Sequence, residues 1–314
     1  MRVIQLQIFS ARTSGVENRR GIVLWGSGTV GHAIEQALLR RGCERKLNLP
    51  TLWRQPASLQ QSIDCAVDAE ALQHMDEVHH IYAAGSAGFA ADVRETEQEL
   101  RVFECVLEGL TNRSPKHSAT NSPASLQFHL ISSAGGLFEG AVGVDVSSEP
   151  APKRAYGELK LRQEQVLVAK LGQQNSHIYR LSSVYGQPSA RRRRSLIGNL
   201  LLNSFAHRVT RVTGNLDTLR DYIHADDAAA FVVDCALTDT LSSPLRSIVA
   251  SGRSTSILQV LRIVEQLTRR KPFIELAPEH NSASVSFLPS ALPEGFAPGD
   301  LRTRIAAMLK NLAG

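Results

Sequence analysis

Gly21-Ile22-Val23-Leu24-Trp25-Gly26-Ser27-Gly28-Thr29-Val30-Gly31 is the stretch on which the reading of this chain turns. Ile22 to Trp25 is a continuous apolar run of strand length, bounded by glycine. Beyond it Val30, Ile34 and Leu38 recur at helical spacing, and Arg40-Arg41-Gly42 supplies the cations and glycine of a helix stop. The glycines between them form a GxGxxG run. Glycine permits the tight turn and a close backbone approach, while the helix start offers N–H groups and positive dipole to a pyrophosphate. Alone, such a run is also simply a glycine-rich turn. Set between a strand and a helix, it predicts a dinucleotide site with Gly26, Gly28, Thr29, Val30 and Gly31 against the cofactor.

Working outward, strand and helix patterns alternate. Leu47–Trp53 reads as a strand in which Pro50 suits an early or edge position. Val78–Ala83 is a strand followed by a helix around Glu95–Leu107. Phe128–Ile131 is a strand ending in Ser132-Ser133, Tyr156–Leu171 is a helix, and Ile178–Leu181 resumes strand character. This succession implies crossover connections and a doubly wound parallel α/β sheet of Rossmann type. Thr111–Ser125 and Gly140–Lys153 read as loops, and Ser256–Arg269 and Asp300–Leu312 as late helices. The expected domains are an N-terminal extension at 1–20, ordered only in part, and a cofactor domain at 21–186 to which 221–250 returns. A smaller substrate region is expected from 187–220 and 251–314.

With 43% apolar and 21% charged residues among 314, the chain has the composition of a globular protein. Its net charge of +5 comes largely from Arg191 to Arg194, which reads as a solvated loop or a phosphate-facing one rather than a nucleic-acid surface. The four cysteines form no CxxC pair, which disfavours a zinc ribbon or disulfide framework. No HExxH occurs, and His79 and His80, adjacent in a strand, point to opposite faces, so no metal is expected. No apolar stretch approaches the roughly 20 residues of a membrane span, and Met1–Arg20 lacks the order of a secretory signal. A cytoplasmic enzyme is the expectation.

About twenty residues beyond the glycine run an NAD site commonly supplies Asp or Glu to the ribose. The strand here ends Leu52-Trp53-Arg54-Gln55 without an acid, so Arg54 either meets a 2′-phosphate, favouring NADP, or is a surface arginine. Ala83, Ala84 and Gly85 are small enough for a cofactor to pass over the sheet edge. Tyr156 and Lys160, four apart on a helix, share a face. A phenol with a pKa of about 10 is a poor base, but a nearby ammonium and the nicotinamide ring favour the phenolate. Lys160 can also hold the nicotinamide ribose, and a serine hydroxyl can bond the substrate oxygen.

Taken in order, these pieces resemble the extended short-chain dehydrogenase/reductase superfamily, and within it the NAD-dependent epimerase/dehydratase group acting on nucleotide sugars. Arg180-Leu181-Ser182-Ser183-Val184-Tyr185-Gly186 is like that group's R-x-x-x-x-Y-G. Arg220-Asp221-Tyr222-Ile223-His224-Ala225-Asp226-Asp227 is very like its R-D-F-I-H-V-D-D, and Glu294-Gly295-Phe296-Ala297-Pro298 resembles its C-terminal part. The resemblance implies NAD or NADP as cofactor, Tyr156, Lys160 and Ser133 as catalytic residues, Ser133 and Arg220 on the substrate, and a homodimer. It implies an epimerase working through a keto intermediate, or an NADPH-dependent reductase. A fold retained for sensing or scaffolding without turnover is the reading from another class, and retention of both Tyr156 and Lys160 argues against it.

Two departures matter. After Ser132-Ser133 the run is Ala134-Gly135-Gly136-Leu137-Phe138, so counting back from Leu137-Phe138 puts Ala134 at the hydroxyl position, whereas the strand end favours Ser133. The Asp-Glu pair of the sugar dehydratases is missing here, which disfavours dehydration.

Overall fold

The computed structural model describes residues 3–12, 19–53, 55–73, 75–112, 125–188, 194–238, 245–277 and 283–313. Along the chain these form β1 (Val3–Arg12), β2 (Arg19–Trp25), α1 (Thr29–Arg40), β3 (Glu44–Leu52), α2 (Pro56–Asp68), β4 (Glu77–Tyr82), α3 (Val93–Asn112), β5 (Ser125–Ser133), α4 (Ala134–Leu137), α5 (Ala155–Leu171) and β6 (Ser176–Leu181). There follow β7 (Ser183–Tyr185), α6 (Leu196–Ala206), β8 (Thr210–Thr213), β9 (Leu219–His224), α7 (Ala225–Leu237), β10 (Arg246–Val249), β11 (Ser254–Ser256), α8 (Ile257–Thr268), β12 (Ile274–Ala277) and α9 (Leu301–Ala313). Arg54 and Arg191 to Arg193 lie outside the described residues, as does most of the expected loop after Thr111.

Two compact units divide the chain: Met1–Ser132 with Arg154–Arg180 and Ala229–Ser247, and Ser133–Lys153 with Leu181–Ala228 and Ile248–Gly314. The first is organised around a seven-stranded sheet in the order β10-β6-β5-β4-β2-β1-β3. β2, β4 and β5 run parallel, as the alternating pattern requires. Ile22 to Trp25 are fully buried, consistent with a strand covered on both faces. One face carries an aromatic core. Tyr82 meets Phe103 of α3 edge-on at 4.9 Å and Trp53 at 5.8 Å, and Phe103 meets Phe128 at 6.0 Å. His79 and His80 do point to opposite faces: His79 contacts His129, while His80 accepts a hydrogen bond from Trp25.

The segment expected as an extension ahead of the fold is instead β1, a strand inside the sheet. It pairs antiparallel with β2 on one side and with β3 on the other. Leu6 and Ile8 are buried in the aromatic-face core, and Phe9 is fully buried too. The alternation Leu6, Ile8 against Gln5, Gln7 fits a strand, but only pairing supplies the neighbours that make it stable. β3 is the sheet edge, which explains why Pro50 is tolerated opposite Gln5.

The second unit holds a three-stranded sheet, β11-β9-β7, and a parallel pair, β12-β8. Its core joins α6, α8 and α9 through Ile197, Leu200, Leu201, Val260, Val264, Ile305 and Met308, with Tyr185 and Tyr222. α8 starts on a capping box: Ser256 Oγ accepts from the Gln259 N–H, and the Gln259 side chain accepts from the Ser256 N–H.

Candidate active site

The glycine turn leaves β2 at Trp25 and enters α1 at Thr29. Gly26 has φ +114°, and a Cβ there would stand 2.7 Å from the Ala83 carbonyl. Gly26 is therefore required both by its backbone and by the close approach of the segment after β4. A Cβ on Gly31 would strike the Gly26 carbonyl oxygen, so this glycine lets α1 pack against the turn. A Cβ built on Gly28 would meet nothing within 4 Å, and as the α1 N-cap this residue supplies no side-chain oxygen. Open space above a helix start suits a pyrophosphate, so the residues present fit a dinucleotide at this end.

Ala83 is tied to the turn by its N–H, which donates to the Trp25 carbonyl at 2.8 Å. Gly85, at φ +155°, leads into Ser86 and Ala87, whose N–H groups both donate to Glu99 Oε2, at 2.7 and 2.8 Å. Glu99 is buried on α3 and clamps the segment that the sequence marks for the cofactor. Sequence reading passed over this residue, because nothing in the local pattern of α3 marks one glutamate as buried.

α5 carries Tyr156 and Lys160, with Lys160 Nζ 5.9 Å from the centre of the Tyr156 ring. The ring of Tyr156 is half-buried and meets Phe89 at 5.4 Å. Lys160 is buried and donates to Gln163 Oε1 at 2.9 Å. An ammonium has three donors; among the described residues this neutral amide is its hydrogen-bond acceptor, and no carboxylate pairs with it. A buried cation so placed is suited to the hydroxyls of a ribose. Tyr156, Lys160, the glycine turn and Ala83 to Gly85 all belong to the first unit.

The two serines at the end of β5 differ sharply. Ser132 Oγ donates to Glu164 Oε1 at 2.6 Å, and Glu164 is gripped by Arg180, with Nη2 to Oε2 at 2.7 Å. Ser132 is thus part of a buried structural network. Ser133, pointing the other way by the alternation of the strand, caps α4, its Oγ accepting from the Gly136 N–H at 3.1 Å. A capping hydroxyl still has its own proton to donate. Ala134 is fully buried.

In the second unit, Arg220 on β9 donates to the carbonyls of Ala283 and Leu219. Asp221 accepts from Ser182 Oγ at 2.8 Å, from the N–H and Oγ of Ser251 at 2.7 and 3.0 Å, and from the Arg253 N–H at 3.2 Å. Burial nevertheless holds its carboxyl above the usual range. Asp227 pairs with Arg304 and accepts from the Gly299 N–H at 3.1 Å. Asp221 and Asp227 thus tie β9 and α7 to the loops around them. Tyr185 is buried with its ring edge-on to His224 at 5.1 Å, and burial raises its phenol well above the ordinary value.

Within the same unit lies a cleft of about 320 Å³, whose lining includes Tyr222, Arg253, Arg262, Asp300 and Arg302. Three guanidinium groups around one cleft suit phosphate oxygens. The three arginines stand on separate loops and helices, and no sequence spacing links them.

A family model described as the NAD dependent epimerase/dehydratase family matches residues 22–244. The chain belongs to this family. As a member it is an enzyme of the extended short-chain dehydrogenase/reductase type, with the Rossmann-like α/β fold. Among solved structures, this family member is similar to UDP-glucose 4-epimerase of Thermus thermophilus in complex with NAD. Identity is 17%, 91% of this chain and 96% of that one are covered, and the TM-score is 0.72. It is similar also to UDP-glucuronic acid 4-epimerase from Bacillus cereus, solved with UDP-glucuronic acid and NAD, at 17% identity, 91% and 97% coverage and TM-score 0.65. A third is ADP-L-glycero-D-manno-heptose-6-epimerase of Helicobacter pylori, at 17% identity, 83% and 78% coverage and TM-score 0.63. No protein of curated function matches the chain in sequence. Among the described residues no helix is long and apolar enough to cross a membrane, and no cluster of His, Cys, Asp and Glu could hold a metal.

Proposed function

We propose that this chain epimerises a nucleotide-activated sugar with NAD or NADP as cofactor, using Tyr156 as the acid and base. The observation that carries the reading is the half-buried Tyr156 beside a buried Lys160 that lacks a carboxylate partner among the described residues. The cofactor, when bound, supplies the acceptor and donor of hydride. Gly26, Gly28, Thr29, Val30 and Gly31 would hold its pyrophosphate, and Ala83 to Gly85 would let it cross the sheet edge. Lys160 would bond the nicotinamide ribose and keep positive charge beside the phenol, so that Tyr156 can take a sugar hydroxyl proton and return it. Ser133 would donate to the substrate oxygen.

On the substrate side, Arg220 and the arginines of the cleft would take the phosphates, with residues of the second unit as the sugar-nucleotide region and the first as the cofactor domain. Of the solved relatives named above, one is a complex with UDP-glucuronic acid and NAD and another a UDP-glucose 4-epimerase with NAD, which supports that substrate class. Ala134 to Phe138, which follow Ser133, are apolar or glycine, which supports epimerisation over water elimination. We also expect a homodimer in the cytoplasm, readable by sedimentation and by fractionation of the source cells.

The test is to incubate the chain with NAD or NADP and a panel of UDP-, GDP- and dTDP-sugars, resolving epimers by chromatography. Tyr156→Phe should retain cofactor binding and lose turnover by about 10²–10⁴-fold, the range of general acid–base catalysis. Undiminished turnover in that variant would remove Tyr156 from the mechanism.

A further inference from the structure

In a doubly wound sheet the strand after the first helix lies directly beside the glycine-turn strand, and the residue at its end reaches the adenosine ribose. Here β1 lies between β2 and β3. Neighbouring strands are about 5 Å apart, so β3 runs about 10 Å from β2 instead of about 5 Å. The strand next to the glycine turn is β1. Because it runs antiparallel, its start lies at the edge where β2 delivers the turn. The Gly26 N–H donates to the Gln5 carbonyl at 2.9 Å, and the register that pairs Leu6 with Trp25 sets Gln5 opposite Gly26. β1 and β3 then run on together past this level, Ile4 pairing with Thr51 and Val3 with Leu52.

Gln5 is half-buried, and Gln7 Nε2 donates to its Oε1 at 3.2 Å. That contact engages the carboxamide oxygen and leaves the NH₂ group to donate elsewhere. A neutral NH₂ can donate equally to a ribose hydroxyl oxygen and to a 2′-phosphate oxygen, whereas a carboxylate accepts only the first and an arginine favours the second. We propose that the adenosine ribose of the cofactor is read by the inserted strand β1, through Gln5, and not by the end of β3, so that NAD and NADP are bound with little discrimination. Gln5 is then the specificity-determining residue of the cofactor site. This rests on the dinucleotide reading of the glycine turn under Proposed function, and it stands as the alternative to the expectation placed on Arg54, which lies outside the described residues.

The experiment is equilibrium binding, independent of turnover: titration of the full chain with NADH and NADPH followed by fluorescence, with NAD and NADP by calorimetry. Wild type should bind the two forms within about fivefold of each other. Gln5→Arg should move the ratio toward NADP by about fivefold or more, and Gln5→Glu toward NAD by a similar factor, as charge against a 2′-phosphate dictates. A ratio unchanged within about twofold in both variants, their thermal midpoints being retained, overturns the proposal. So does an Arg54→Ala change that by itself removes NADPH binding while sparing NADH. If wild type binds neither form, the dinucleotide reading fails, and this proposal with it.

Discussion

Acid should destabilise the first unit steeply between pH 7 and pH 5, because its sheet holds four histidines as neutral rings, three of them buried. His79 Nε2 faces Glu77 Oε2 at 3.3 Å, and a carboxylate only accepts, so that nitrogen carries the proton and Nδ1 is an acceptor. His129 Nε2–H therefore donates to His79 Nδ1 at 3.0 Å, and Tyr179 O–H donates to His129 Nδ1 at 2.9 Å. On the other face His80 Nδ1 accepts from Trp25 Nε1–H at 3.2 Å. His177 stacks on His129 at 4.6 Å and bonds Gln127 Oε1 at 3.1 Å. Burial pushes all four below the ordinary value, His80 to about 3 and His177 to about 4. Glu77, bonded to His79 and Arg20, is held at about 2 and stays ionised throughout this window.

Since the folded values lie below the unfolded value of about 6.5, the unfolded chain binds more protons as pH falls. The stabilisation is complete above that value and is lost on the way down toward about 4 and about 3. For His80 the loss between pH 7 and 5 comes to about 2 kcal/mol, and for the partly solvated His177 we take about 1 kcal/mol. His79 and His129 act in the same direction, so the about 3 kcal/mol from His80 and His177 is a lower bound and already a large share of the stability of many domains. Both tryptophans of the chain, Trp25 and Trp53, lie in this unit, so urea unfolding at the two pH values followed by tryptophan fluorescence reads it directly. His80→Phe should reduce the pH-dependent difference by about 2 kcal/mol whatever it does to stability at pH 7. A difference below about 1 kcal/mol in the wild type would refute the claim that these rings are neutral and buried.

Other consequences can be checked in parallel. Ser132→Ala should cost about 1.5–3 kcal/mol in denaturant unfolding, since it removes a bond to the buried Glu164 carboxylate, with kcat little changed. Ser133→Ala should do the reverse, lowering kcat on the sugar identified in the panel while costing only the cap of a four-residue helix; equal kinetic losses would dissolve the distinction. Gly26→Ala should abolish cofactor binding in a titration and destabilise by about 1–3 kcal/mol, because the positive φ and the Ala83 carbonyl both resist a Cβ. Arg262→Ala should weaken nucleotide-sugar binding by calorimetry without changing NADH affinity; an unaltered sugar affinity would take the second-unit cleft out of the site.

What the sequence determined by itself was local. The glycine turn, the helix carrying Tyr156 and Lys160, and the parallel character of β2, β4 and β5 all follow from apolar periodicity and short spacings, and the structure has them where those spacings require. A helix face is set by residues four apart, so Lys160 over Tyr156 was legible without any partner. The place of Val3–Arg12 was not. Strand pairing is made with residues distant in the chain, and ten residues of alternating character are equally at home at an edge, in a hairpin or inside a sheet. The same reason separates Ser132 from Ser133. Adjacent strand residues face opposite ways, and only the packing of Glu164 and Arg180 shows which hydroxyl is taken up by the core. Tertiary structure alone decided that a strand from the start of the chain stands beside the glycine turn, and with it which residue lies beside that turn.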